Sequence, residues 1–149
     1  MILKNFKIEE SHGIEYEGKF LDLHSNYDFV KFSYDISCQS VALYWNKSEE
    51  DWAVKEPFEN LRLQFNSISI FAVRSRDDKK PFSEDDCLSY IGYMHPDDIE
   101  IMNGFLPKKM ANDKYHLVLG FESGMAIKLF CETAELFSKS MGPVSQPSR

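Results

Sequence analysis

The residues with the clearest chemical character are carboxylates in the stretch 81–107, which contains no lysine and no arginine. The chain has 17 basic and 24 acidic residues, a net charge of −7, so this stretch holds nearly all of the imbalance. Because uncompensated charge steers association with a partner of opposite charge, the stretch is a candidate docking surface for a basic protein. The alternative is that these acids stabilise the starts of two short helices through the helix dipole. The candidate partner-binding residues are Glu84, Asp85, Asp86, Asp97, Asp98 and Glu100.

The other polar residues form no recognised catalytic or metal-binding pattern. Ser123 lies between Gly120 and Gly124, but a nucleophile elbow needs the serine midway between its glycines, at a strand-to-helix turn. A hairpin turn is the better interpretation, because serine and glycine are common turn residues. The histidines share no metal-ligand spacing with each other or with a cysteine. We therefore expect no catalytic residue, no metal site and no cofactor; the histidines are His12, His24, His95 and His116.

The cysteines favour a reduced protein. They are odd in number, widely separated and set within apolar runs, which is typical of buried thiols and not of a disulfide framework or a metal cluster. We expect Cys38, Cys87 and Cys131 to pack in the interior as small apolar groups.

Composition and charge restrict the class of protein. A pI near 5.1 argues against general nucleic-acid binding, which needs cations to displace counterions from phosphates. The start of the chain, 1–7, has no apolar signal region, and the longest apolar run, Val41–Trp45, is too short for a membrane helix. We expect a cytoplasmic protein with no membrane contact. Its length fits a single β-rich domain over 1–141, followed by a disordered tail over 142–149.

Alternation of apolar and polar residues with a period of two is the dominant local signal, and it predicts strands. It indicates a strand at 19–23 and a hairpin over 28–47. A second hairpin is expected over 61–74 with its turn at Asn66-Ser67, and a third over 115–131 with its turn at Gly124.

Helical signal is confined to the acidic stretch. Ser83 and Asp86 have the spacing of a capping box, Leu88 and Ile91 follow at helical spacing, and Gly92 could end the helix. A second short turn is expected to begin at 96–98. The predicted fold class is therefore mainly β (α+β), an antiparallel sheet or sandwich of about seven strands with one or two short inserted helices.

The same alternation selects the residues expected in the hydrophobic core. One face of each predicted hairpin is apolar and should be buried. The predicted core residues are Val30, Phe32, Tyr34, Val41, Leu43, Leu61, Leu63, Phe65, Ile68, Ile70, Leu117, Leu119, Ile127 and Leu129.

The acidic single domain, the paired strands near 61–74 and the strand, glycine turn and strand over 115–131 resemble small bacterial cytosolic proteins of uncharacterised or toxin-immunity type. The resemblance covers about half of the chain and lies in the pattern of elements. It implies a non-enzymatic protein that binds and occludes one cognate toxin, frequently a basic nuclease.

Two other classes of function stay open at this point. One is a small-ligand-binding or enzymatic β-domain with a pocket near residues 83–116, in which His95, His116, Tyr90 or Tyr93 could act. The other is a structural subunit of a homo-oligomer, which an uncovered apolar strand edge would favour.

Overall fold

The computed structural model describes residues 1–97, 105–106 and 114–140. Regular structure in these ranges is almost entirely β-strand, and the two helical segments are 3-10 turns at Asp51–Ala53 and Phe82–Glu84. The predicted mainly antiparallel β fold is confirmed. In chain order the strands are β1 (Ile2–Leu3), β2 (Phe6–Glu9), β3 (Gly13–Tyr16), β4 (Lys19–Asp22), β5 (Tyr27–Asp35), β6 (Ser40–Lys47), β7 (Phe58–Arg74), β8 (Leu88–Met94), β9 (Phe105–Leu106), β10 (His116–Phe121) and β11 (Ala126–Ser140).

The strands form two sheets. The larger has the order β5-β6-β7-β11-β10-β8-β9 with antiparallel neighbours, and β1 pairs with β11 in parallel. The smaller consists of β2, β3 and β4. Asn5, between β1 and β2, donates from its side chain to the carbonyl of Leu136 and accepts from the Leu136 N–H, both at 2.8 Å. This double hydrogen bond ties the start of the small sheet to the central strand β11.

The large sheet is built around the long ribbon of β7 and β11, which have 17 and 15 residues. β6 lines the outer edge of the first half of β7, whereas β10 lines the outer edge of the first part of β11. The two ends of the sheet meet, because the N–H of Phe29 in β5 donates to the carbonyl of Asp86 at 2.8 Å. The rings of Phe29 and Phe121 are 4.6 Å apart at the same place. The sheet is therefore strongly curved and encloses the core on its inner face.

The predicted second hairpin is wrong, because 58–74 is one continuous strand. Ser67 has the positive φ, 57°, that a turn residue would need. The pairing with β11 nevertheless continues past this point, with a register shift between Phe130 and Cys131 that marks a bulge. On either side of Ser67, β7 is hydrogen-bonded to β11 along one edge and to β6 or the turn before it along the other, which keeps the strand extended. The left-handed conformation of Ser67 therefore bends the strand and does not reverse it. The first and third hairpins are confirmed, and Gly124 takes the expected positive φ of 86°.

Most of the predicted core is confirmed, but β5 is an exception. Val30, Phe32 and Tyr34 were expected inside and are 50, 37 and 47% exposed, while Ile68 and Ile70 are half-buried. β5 is the edge strand of the sheet, and every residue from 30 to 35 is exposed. The register also shifts between residues 29 and 31, so that alternation along β5 changes phase. The confirmed core residues are Val41, Leu43, Leu61, Leu63, Phe65, Leu117, Leu119, Ile127 and Leu129.

The helix predicted to begin in the acidic stretch is also wrong beyond its first turn. Phe82–Glu84 forms one 3-10 turn without a side-chain cap, and Leu88–Met94 is a strand between β10 and β9. The run 91–94 is buried at every position, so both faces of the strand are covered. In a strand buried on both sides, apolar residues no longer alternate, and their spacing can imitate that of a helix.

The cysteines are all free, but only Cys131 is fully buried. Cys38 was expected inside and is exposed, because it lies in the turn between β5 and β6. Cys87 is half-buried. The tail predicted for 142–149 and most of the short turn predicted from 96 onward lie outside the described residues, and the single domain over 1–141 stays a prediction.

Candidate functional site

Two of the predicted partner-binding acids are paired within the chain. Asp85 accepts from Arg76 Nε at 2.9 and 3.2 Å through its two carboxylate oxygens. Glu84 lies 3.9 Å from the ammonium of Lys80. Their charges are therefore largely compensated by basic residues that precede the acidic stretch.

Asp86 is different, because its surroundings are acidic. The residue is exposed, and no ion pair joins its carboxylate to another described residue. Burial raises the pKa of Asp28, and the nearby carboxylates of Asp86, Glu50 and Glu49 raise it further. The uncompensated negative charge of this region is centred on Asp28 and Asp86.

Asp97 lies at the other end of β8 from Asp86 and faces His95, whose Nδ1 is 3.5 Å from its carboxylate. A strand of this length separates the two acids by about 20 Å. Among the described residues the acids therefore do not form one surface. Asp98 and Glu100, the remaining members of the predicted set, lie outside the described residues.

Exposed aromatic rings border the acidic turn. Phe82 is 79% exposed, and the guanidinium of Arg76 stacks on its ring at 4.3 Å. Across from it, the rings of Phe32 and Tyr34 lie 5.8 and 5.0 Å from that of Phe71. An open groove of about 340 Å³ runs between β5 and the acidic turn, and we call it the Phe82 groove. Its lining consists of Phe29, Val30, Lys31, Phe32, Phe82, Asp85, Asp86 and Met125.

A second cluster lies on the other side of Asp86. A ring nitrogen of His24, Sγ of Cys87 and a carboxylate oxygen of Glu122 all lie within 4.8 Å of one another. Burial raises the pKa of the Cys87 thiol to about 11, and the carboxylate of Glu122 is the next cause, followed by other nearby acids. The cluster lies beside a cavity of about 720 Å³ that is also lined by Trp52 and Asp86.

Sequence reasoning missed this cluster. His24 follows β4, Cys87 precedes β8 and Glu122 follows β10, so the three residues come from segments far apart in the chain. Metal-ligand spacing rules detect ligands on one turn or one helix and cannot detect this arrangement. The only local signals are an isolated histidine and an isolated cysteine, which occur in many proteins without a shared site.

The residues proposed for an enzymatic or ligand pocket do not all converge. His95 is close to His116, whose pKa is lowered first by burial and then by the charges of Lys128 and His95. The register places Tyr90 opposite Gly120 and Tyr93 opposite Leu117, on opposite faces of the sheet. The face of the sheet that carries Tyr93 points to the core. His116 lies on the other face, the one that carries Tyr90, and its ring is 5.3 Å from that of Phe130. Tyr93 also lines a groove of about 330 Å³ beside β1 and β2, away from the other candidates.

No protein-family model, curated protein or solved structure matches this chain. Among the described residues, no helix has both the length and the apolar character needed to cross a membrane. The functional argument therefore depends on the geometry of the Phe82 groove and of the His24, Cys87 and Glu122 cluster.

Proposed function

We propose that this protein is a non-catalytic binding protein that recognises a basic segment of another protein in the Phe82 groove. The observation that carries the proposal is the position of Asp86, an exposed carboxylate beside exposed aromatic rings. Interfaces commonly combine aromatic anchors with charged residues at their rim. The toxin-immunity resemblance is consistent with such a role, since the toxins of that class are frequently basic.

The chemistry of the groove favours arginine or lysine in the partner. The ring of Phe82 already carries the guanidinium of Arg76 on one face, which shows that the ring is suited to stacking with a cation. Asp86 would supply the opposite charge, and Phe32 would contact the aliphatic part of the incoming side chain. A basic residue in this position would relieve the repulsion between Asp86 and Asp28.

The proposal is tested by affinity purification from the source cells with the wild-type chain, Asp86→Asn, Phe82→Ala and the control Glu59→Gln, which alters an exposed acid at the far end of β7. We expect a stoichiometric basic protein with the wild type and with the control. Asp86→Asn should slow association about 10-fold at low ionic strength, because it removes the steering charge. Phe82→Ala should weaken affinity about 10-fold or more through loss of an anchor. Equal recovery with all four chains would contradict the proposal.

A second candidate function is self-association through β5. The strand is at the edge of the sheet and exposes Val30, Phe32, Tyr34 and Ile36. If two copies of β5 pair in antiparallel fashion around Ser33, each Lys31 faces Asp35 of the second copy, and each Phe32 faces Tyr34 of the second copy. Opposite charges and aromatic pairs stabilise directly opposed positions in such a ladder.

Sedimentation over a range of concentrations tests this second candidate. A dimer that Lys31→Glu dissociates, by placing like charges opposite each other, would support pairing through β5. A monomer at every concentration would exclude it. Because Lys31 and Phe32 belong to both surfaces, Phe82→Ala is the variant that separates the two functions, and it should leave any dimer intact.

A further inference from the structure

The cluster of His24, Cys87 and Glu122 has the donor atoms of a metal site. An imidazole, a thiol and a carboxylate converge within 4.8 Å. Ligand bond lengths in tetrahedral zinc sites place pairs of such donors about 3.3 to 3.6 Å apart. The donor atoms therefore have to approach one another by about 1 Å or more, and rotation of the exposed side chains of His24 and Glu122 supplies this movement.

Hydrogen bonds from backbone N–H groups fix the spacing of Cys87 and Glu122 and the turn that contains His24. The N–H of Glu122 donates to the carbonyl of Cys87 at 2.9 Å, so these two residues have a fixed spacing. His24 lies in a turn in which its N–H donates to the carboxylate of Asp22 at 2.9 Å. The backbone positions of the three residues thus follow from the fold, and rotation of the side chains brings the donor atoms together.

The hydrogen bonds of the imidazole determine which ring nitrogen can bind a metal ion. Nδ1 of His24 lies 2.6 Å from the carbonyl oxygen of Leu88 and 3.5 Å from Sγ of Cys87, so Nε2 has to turn towards the cluster when a metal ion binds. A carbonyl can only accept, so Nδ1 carries the proton and Nε2 keeps the lone pair that a metal ion requires. A hydrogen bond from the second ring nitrogen to a backbone carbonyl is the usual support of a metal-bound histidine.

We propose that His24, Cys87 and Glu122 bind one divalent cation of the zinc type. Thiolate and imidazole donors select borderline and soft ions over magnesium and calcium, which prefer oxygen ligands. Three protein ligands leave a fourth position for water or another ligand, and two of them, His24 and Cys87, line the cavity of about 720 Å³ that is also lined by Trp52 and Asp86. Binding replaces the proton of the Cys87 thiol with the metal ion, and that proton passes to solvent.

The test uses the full chain, freed of metal by a chelator and titrated with Zn²⁺, Mg²⁺ and Ca²⁺ in separate calorimetric experiments. We expect one Zn²⁺ per chain and no comparable binding of the other two ions. Cys87→Ser, His24→Gln and Glu122→Gln should each weaken Zn²⁺ binding at least about 10- to 100-fold, the loss that even supporting residues cause. The matched control Cys38→Ser removes an exposed thiol in a different turn and should leave binding unchanged.

A second readout identifies the ligand directly. Co²⁺ bound to a thiolate gives a sulfur-to-metal charge-transfer band in the near ultraviolet, which should appear with the wild type and with Cys38→Ser and vanish with Cys87→Ser. Zn²⁺ binding that survives Cys87→Ser, equal binding of Mg²⁺, or no stoichiometric binding would overturn the proposal. Circular dichroism of each variant checks that the fold is retained.

The two proposals fail independently. Phe82→Ala alters the Phe82 groove and not the metal ligands, whereas Cys87→Ser alters a ligand that does not line the groove. Asp86 lines both the groove and the cavity, so it is left unchanged in the metal experiments.

Discussion

Arg76 holds Asp85 through both of its carboxylate oxygens, at 2.9 and 3.2 Å from Nε. The same guanidinium donates to the carbonyl of Lys80 at 2.7 Å and stacks on Phe82. One arginine thus shapes the acidic turn and neutralises one of its acids. The neighbouring Asp86 lacks such a partner among the described residues, so two adjacent aspartates have different roles.

This difference predicts that the same substitution has different effects on stability at the two positions. Asp85→Asn should lower the free energy of unfolding by about 0.5 to 1 kcal/mol, because it leaves Arg76 without its counter-charge. Asp86→Asn should stay within about 0.5 kcal/mol of the wild type, since it relieves repulsion with Asp28. Urea unfolding measures both. Equal losses would show that the two acids have the same structural role.

Two buried tyrosines provide a second prediction. Tyr93 Oη has no hydrogen-bond partner among the described residues, whereas Tyr27 Oη lies 3.3 Å from both Glu56 and the carbonyl of Phe58. Tyr93→Phe should leave stability unchanged or raise it by about 1 kcal/mol, because an unsatisfied buried hydroxyl is costly. Tyr27→Phe should lower stability by about 1 kcal/mol through loss of its hydrogen bonds. Thermal unfolding that ranks the two variants in the reverse order would refute this.

Alkaline pH gives an independent test of the burial of Tyr93. Burial raises the pKa of this hydroxyl from 10.0 to about 12. The folded state then holds the proton of the Tyr93 hydroxyl more tightly than the unfolded state. The stability that this protonated hydroxyl provides is complete below pH 10 and is lost as the pH rises towards 12. Stability measured against pH should therefore fall less steeply in this window for Tyr93→Phe than for the wild type.

Gly120 is expected to tolerate no side chain. A Cβ at this position would overlap the ring of Tyr90 on the neighbouring strand. Gly120→Ala should cost about 1 to 3 kcal/mol, because the ring must move. The double variant Gly120→Ala with Tyr90→Ala should be more stable than the sum of the single effects predicts. Additive effects in the double-mutant cycle would exclude this contact as the cause.

Leu119 and Val30 were both predicted to lie in the core, but only Leu119 is buried. Leu119→Ala should cost about 2 to 5 kcal/mol, since Leu119 is fully buried. Val30→Ala should cost less than about 1 kcal/mol, because half of the side chain is exposed. A large loss at Val30 in a dilute monomer would contradict the exposed position of this residue.

The sequence alone determined the elements whose pattern is local. Alternation over 115–121, Gly124 with its positive φ, and alternation from Met125 onward specify the β10-β11 hairpin through neighbouring residues. The buried face of β6, including Val41 and Leu43, was predicted in the same way. These features depend on the period of the strand and on turn chemistry, which a few consecutive residues carry.

Only the tertiary structure decided which strands pair with each other and which faces are covered. Partners on both edges turned an expected hairpin into the single strand β7, and the edge position of β5 left Phe32 and Tyr34 at the surface. The candidate sites depend on the same information. His24 beside Cys87, which is 63 positions later, follows from how distant segments align. No local pattern encodes such contacts, because sheet curvature and register place them, and these are set by the packing of the whole chain.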